Sequence, residues 1–182
     1  MFFKKLDIDD VVLITPKRFS DDRGYFMESH RQDLFDENVT TRKFVQDNFV
    51  TSKKNVVRGL HYQINNPQGK LVRCLSGEIF DVAVDMRKGS KTYGHWVGER
   101  LSEENGCSLW IPEGFAHGYS TLTDDVKVLY KCTDFYHPND EGGIIWNDYN
   151  LNIDWKVDEQ SAIISDKDKL LNTFVQTEML SI

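Results

Sequence analysis

Long apolar runs are missing from this 182-residue chain, so no segment has the length of a membrane-spanning helix. The opening residues, Met1-Phe2-Phe3-Lys4-Lys5-Leu6-Asp7, carry too much charge and too few apolar residues for a signal peptide, and a cytoplasmic protein is expected. Cysteine is scarce. Cys74, Cys107 and Cys132 are scattered, odd in number and without a C-x-x-C pair, which reads as reduced thiols packed in the interior. Only four prolines occur and low-complexity tracts are absent, as in an ordinary single globular domain with enough chain to bury a core without staples. The net charge is −7, yet no block of one sign exists; the want of a basic patch excludes a nucleic-acid-binding domain. That balance also repels phosphate at long range, so an anionic ligand would require a local basic cluster.

What is present is a succession of short strands. From Ile79 to Met86 the alternation is clean: Phe80, Val82, Val84 and Met86 point one way, and Ile79, Asp81, Ala83 and Asp85 the other. Leu71–Leu75 is the expected partner strand, joined through a tight turn at Ser76-Gly77. Val126–Tyr136 alternates as well, and 56–63, 95–102 and 108–122 are strand-like with glycines at bends. Helix is expected only at Gln32–Asn38 and Asp166–Leu171. Helices of βαβ length are lacking, so an all-β sandwich or barrel, the jelly roll included, is the expected class. Beyond Asn150 the pattern is less regular, and that segment is expected to wrap the barrel or a partner.

Four segments carry candidate chemistry. Arg58-Gly59-Leu60-His61-Tyr62-Gln63 offers a base beside an anion clamp. Strict alternation puts Arg58 and His61 on opposite faces, so a shared site requires Gly59 to mark a bulge or bend. Lys70 opens a strand and could stabilise an enolate if it faces inward. His117 lies within the apolar, glycine-bracketed run Trp110–Tyr119. Tyr130 and Tyr136 share a face if their strand stays regular, one as a proton donor and one to stack on a ring. Near the N-terminus, Asp21-Asp22-Arg23-Gly24 forms a turn, and Gln46 and Asn48 face together. Taken singly, each of these has a plainer account: a histidine hydrogen-bonded in a sheet, a solvated lysine, core tyrosines, surface amides. A metal is not expected. The H-x-H pair common in metal-binding cupins is missing, because Tyr62 and Gln63 follow His61, and His30, His95, His117 and His137 show no ligand spacing.

Taken together, the strings resemble the dTDP-4-dehydrorhamnose 3,5-epimerase family from about Pro16 to Asp168. They are D-x-R-G-x-F-x-E at Asp21–Glu28, Q-D-N at Gln46–Asn48, R-G-L-H-Y-Q at Arg58–Gln63 and Q-G-K-L-V-R at Gln68–Arg73. Then come G-E-I-F-D-V-A-V-D at Gly77–Asp85, W-I-P-E-G-F-A-H-G at Trp110–Gly118, L-Y-K at Leu129–Lys131 and S-x-K-D at Ser165–Asp168. Any one is weak; their joint order is specific.

The resemblance implies a cupin-like double-stranded β-helix, or jelly roll, over residues 1–182, a homodimer with exchanged strands, a dTDP-4-keto-6-deoxy sugar substrate and no cofactor. It implies that His61 is the general base oriented by Asp168, that Tyr130 is the proton donor, and that Lys70 lies near the C4 oxygen. Tyr136 would stack on the nucleotide base, while Arg23, Glu28, Gln46, Asp47, Asn48, Arg58, His117, Glu141 and Lys167 fall on substrate-contact positions. Arg23, Arg58, Lys70 and Lys167 would form the basic cluster that the acidic chain requires. The chain departs from the family pattern at Phe49, at Trp146-Asn147-Asp148-Tyr149 and at Trp155-Lys156. These bear on substrate detail. On the same scaffold, a single-site epimerase or a 3,4-ketoisomerase would use the same pocket, and a non-catalytic binding cupin or a metal-dependent cupin oxygenase are the other readings.

Overall fold

The computed structural model describes all of residues 1–182. Its strands are β1 (Phe2–Lys5), β2 (Val12–Thr15), β3 (Arg18–Asp21), β4 (Gly24–Met27), β5 (Gln46–Ser52), β6 (Val57–Gln63) and β7 (Lys70–Ser76). They continue with β8 (Glu78–Asp85), β9 (Trp96–Ser102), β10 (Ser108–Ile111), β11 (Phe115–Thr121), β12 (Val126–Cys132) and β13 (Glu141–Gly143). One sheet runs β1-β2-β10-β7-β12-β5, and the other β13-β6-β11-β8-β9. Strands β3 and β4 form a hairpin of their own. The strand pairings are antiparallel, giving the expected jelly roll.

Three apolar clusters follow from period-two alternation. Between the sheets lie Ile79 and Ala83 of β8 with Val72, Leu109, Ile111, Phe115 and Val128. The opposite face of β8, Phe80, Val82 and Val84, with Met86 just beyond its end, packs under Trp146, Leu151, Trp155 and Leu180 of the C-terminal segment. Fully burying one such side chain contributes roughly 1.5–3 kcal/mol. On the outer face of the other sheet, Leu71 and Trp110 are covered by Phe35 of the single helix, α1 (Gln32–Asn38), its ring edge-on to Trp110 at 5.4 Å. The C-terminal segment does wrap the barrel. It is pinned by polar contacts as well: Ser120 Oγ donates to the Trp155 carbonyl at 2.5 Å and the Trp155 indole to that of Trp146 at 2.6 Å.

Three sequence expectations need correction. Strands β7 and β8 do not pair; they belong to different sheets, and Gly77, at φ +74°, turns the chain from one to the other. The β12 strand stops at Cys132 and does not reach Tyr136. Beyond it the N–H groups of Phe135, Tyr136 and His137 donate to the side chains of Asp134, Gln46 and Gln63, so no ladder continues. The run 166–171 contracts to one 3-10 turn at Asp168–Leu170.

Where β8 leaves the sheet, Asp85 is fully buried and accepts from Arg87 Nη2 at 2.8 Å, Ser90 Oγ at 2.6 Å and Thr92 Oγ1 at 2.6 Å. Arg87 also reaches Asp10 at 2.8 Å and stacks on Phe115, tying the N-terminal region to the β8 exit. Burial works against the charge on Asp85, but these donors outweigh it and hold its pKa at about 2, below the ordinary 3.8. A depressed carboxylate pKa stabilises the fold above its unfolded value, and that contribution disappears as pH falls through the folded value. Chemical denaturation of wild type and Asp85→Asn is therefore expected to show a constant stability gap above about pH 4 that closes toward pH 2.

Candidate active site

The site starts from an irregularity in β6. His61 pairs with His117 and Arg58 with Tyr119, so three steps along β6 oppose two along β11. The extra residue is accommodated at Gly59, whose φ is +108°. A Cβ there would lie 2.6 Å from both Gly118 Cα and the His117 carbonyl oxygen. This is the bend that alternation required. Arg58 and His61 line one cavity.

Asp168 arrives from the C-terminal segment. It is 4% exposed, and its Oδ1 accepts from His61 Nε2 at 2.8 Å while Oδ2 accepts from the Gly59 N–H at 3.3 Å. Its own N–H donates to Ser165 Oγ at 3.1 Å. Burial disfavours the Asp168 charge; the His61 contact, then the Gly59 N–H and the Ser165 hydroxyl beside the carboxylate, more than offset this and set its pKa below the usual value. With Nε2–H committed to the carboxylate, the imidazole keeps a lone pair on Nδ1.

The cavity has two lobes of about 300 Å³ each, and both are lined by His61, Lys70 and Tyr130. The first lobe adds Arg58, His117, Tyr119, Lys167 and Asp168. Lys70 is 9% exposed and has no hydrogen-bond or ion-pair partner in the chain, so its ammonium is free to meet a ligand. Burial pushes its pKa down, against the attraction of Cys132, Asp81 and Glu141. Burial likewise raises the Tyr130 phenol and keeps it protonated. Arg58, Lys70 and Lys167 outnumber Asp168 in this lobe, so three of the four expected cations converge within an acidic chain.

Beneath them, His117 Nε2 meets Asp81 Oδ1 at 2.7 Å, and both are buried. Burial lowers the His117 pKa and raises that of Asp81, each opposed by attraction to the other. Sequence reasoning passed over Asp81 and Tyr119. The signal for Asp81 was present: a carboxylate between Ile79 and Ala83 on the inward face of β8. Tyr119 occupies the position of an ordinary core aromatic, and its pattern carries no such mark. No three His, Cys, Asp or Glu side chains converge as metal ligands.

The second lobe holds Gln46, Asn48, Tyr136 and Glu141. Tyr136 is half exposed, and its hydroxyl donates to Glu141 Oε2 at 2.8 Å; Lys167 reaches the same oxygen at 2.6 Å. Burial opposes the Glu141 charge, but Lys167 and Tyr136 bring its pKa below the usual range. Gln46 donates to Asn48 and accepts from the Tyr136 N–H, so its side chain shapes the lobe as well as lining it. Three expected residues stand apart. Asp47 faces away from Gln46 and Asn48, paired with Lys131 at 2.8 Å. Arg23, at the β3–β4 turn, is bonded to Asp21, and the exposed Glu28 follows β4; neither lines the cavity within one chain.

The sequence model of the dTDP-4-dehydrorhamnose 3,5-epimerase family matches residues 5–176. A Shigella flexneri protein of that name is 52% identical over 176 residues, covering 96% of each chain. A Neisseria gonorrhoeae protein of the same name is 52% identical over 94% of this chain, which spans about half (52%) of that relative's length. The crystal structure of dTDP-6-deoxy-D-glucose-3,5-epimerase from Legionella pneumophila Philadelphia 1, in complex with dTDP-4-keto-L-rhamnose, is similar at a TM-score of 0.95. It is 45% identical and covers 100% of this chain and 98% of that one.

The β6 bend generates a direct test. Gly59→Ala combines a positive φ with a clash against β11 backbone, so it is expected to cost more than about 1 kcal/mol of stability, read as a lower denaturant midpoint at unchanged slope.

Proposed function

The chain belongs to the dTDP-4-dehydrorhamnose 3,5-epimerase family, and from that premise we propose that it epimerises C3 and C5 of dTDP-4-dehydro-6-deoxy-D-glucose to give dTDP-4-dehydro-L-rhamnose. The reaction would serve dTDP-rhamnose and surface-polysaccharide synthesis. The observation that carries the reading is the convergence of His61, Lys70 and Tyr130 where the two lobes meet. The first lobe takes the keto sugar, with Arg58 and Lys167 toward the diphosphate; the second takes the nucleoside, with Tyr136 against the base.

The carbonyl at C4 acidifies the hydrogens on C3 and C5, because either carbanion delocalises onto the C4 oxygen. His61 Nδ1 removes the proton, and Asp168 stabilises the imidazolium that forms. The enolate oxygen develops its charge beside Lys70, a preorganised contribution of roughly 3–4 kcal/mol by analogy with oxyanion donors. Tyr130 then protonates the carbon from the other face, inverting it, and burial of the phenol favours its neutral, proton-bearing form beforehand. His61 then gives its proton up to water and the Tyr130 phenolate takes one back, and repetition at the second carbon completes the conversion with no net gain of protons and no redox change. Each proton-transfer group contributes about 10²–10⁴ in rate.

The same reading includes a homodimer, one domain over residues 1–182 and a cytoplasmic location. The separate β3–β4 hairpin, with Phe19 and Phe26 exposed and Arg23 and Glu28 outside their own cavity, supports exchange of that hairpin between subunits. Light scattering should then return the mass of two chains. Three buried free thiols suit a reducing compartment, which cell fractionation would check.

Proton NMR in D₂O tests the chemistry. Wild type should wash out both the C3 and C5 proton signals, and His61→Ala should slow this by at least about 10²-fold. Loss of one signal only would mean a single-site epimerase, and no exchange would exclude this substrate. Tyr130→Phe separates the two roles: isotope exchange continues while inversion falls by about 10²-fold or more.

A further inference from the structure

Between Cys132 and Glu141 the chain runs without a strand, and Phe135 and Tyr136 project from it, 57% and 48% exposed. A loop presenting large side chains to solvent is ordinarily free to move, yet this one is bound along its length. Gln68 Nε2 donates to the Asp134 carbonyl at 2.8 Å, and Gln63 Nε2 to that of Phe135 at 3.1 Å. Gln63 Oε1 accepts from the His137 N–H at 2.7 Å. The densest attachment lies at the far end. Asp140 is 6% exposed, and its carboxylate accepts from the Asn65 N–H and Nδ2 at 3.0 and 2.7 Å and from the Asn66 N–H and Nδ2 at 2.7 and 3.1 Å. The Asp140 carbonyl accepts from the Ile64 N–H at 3.0 Å.

Asp140 lines neither lobe. It also lies outside all three apolar clusters, as do Asn65 and Asn66. Its ties join one loop to another, and the next residue is Glu141, which holds both the Tyr136 hydroxyl and Lys167. We propose that Asp140 is a positioning residue: by clamping the 133–140 loop to Asn65 and Asn66 it presets Tyr136 and Glu141 for the nucleoside diphosphate. This rests on the function proposed above, which puts the nucleoside in the second lobe. Ordering the loop before the ligand arrives removes that entropic cost from binding, so the clamp acts on affinity and leaves the proton transfers untouched. The amide donors hold the Asp140 pKa at about 2 against the effect of its burial, so the clamp stays charged throughout the neutral range.

Asp140→Asn keeps the shape but turns one acceptor into a donor facing other donors. Titration calorimetry with thymidine diphosphate and steady-state kinetics on the keto sugar form the test. Kd and KM are expected to rise about 10-fold with kcat unchanged. Asn66→Ala, which removes a single donor and leaves Asp140 intact, should shift both in the same direction by less. Placed in a Tyr136→Ala background, Asp140→Asn should cost less than it does in wild type, because one of the two residues it positions is gone. Unchanged Kd, a fall in kcat at constant KM, or an undiminished penalty in that background would each overturn the clamp. If wild type itself does not bind thymidine diphosphate, the nucleotide reading fails with it; if wild type binds and Asp140→Asn binds equally, only the clamp fails.

Discussion

The close approach of two glycines, Gly59 on β6 and Gly118 on β11, is the constraint on which the site depends. Without side chains at these positions the two backbones can pass closely enough for β6 to carry an extra residue. That residue changes which way the strand faces. Arg58 and His61 come to the same cavity, the Gly59 N–H is aimed at Asp168, and His61 is set beside His117. A regular strand of the same composition would retain the fold and disperse the chemistry.

Around this irregular strand the charges are arranged in a consistent order. The chain as a whole is acidic, and its cavity is locally basic. The two histidine–aspartate contacts differ in depth. His61–Asp168 lies at the cavity wall with the carboxylate pKa lowered, so an imidazolium formed there has a counter-charge. His117–Asp81 is deeper, and burial drives both partners toward their neutral forms. One pair is suited to gain and lose a proton; the other, with the His117 ring edge-on to Tyr130 at 6.4 Å, is suited to stay uncharged in the wall of the cavity.

Much of this was legible in the residues, and for identifiable reasons. The alternation in β8 separates inter-sheet from outer-face residues correctly because each face packs against its own apolar partner. Gly59 could be read as a bend because Arg58 and His61 could not otherwise share a face. Pairing was less legible. Gly77 looks like a hairpin turn, since local sequence reports the reversal of the chain and not the sheet in which the next strand finds its neighbours. The end of β12 was hidden for a related reason: the acceptors that divert the N–H groups of Tyr136 and His137 come from Gln46 and Gln63, far away in sequence. Asp47 was carried into the site by a motif, although its strand turns it toward Lys131. Resemblance assigns positions, whereas the pleat decides direction.

The C-terminal segment has two duties, covering the outer face of β8 with Trp146 and Trp155 and delivering Asp168 to His61. The members of that dyad are 107 residues apart. During synthesis the early strands can leave the ribosome long before their carboxylate partner exists, and a chain stopped before Trp146 has neither the tryptophan cover nor the counter-charge. Completion of the cavity is thereby coupled to completion of the fold. An unfinished polypeptide has an exposed apolar sheet for quality control to recognise, and its His61 lacks the carboxylate that orients the ring.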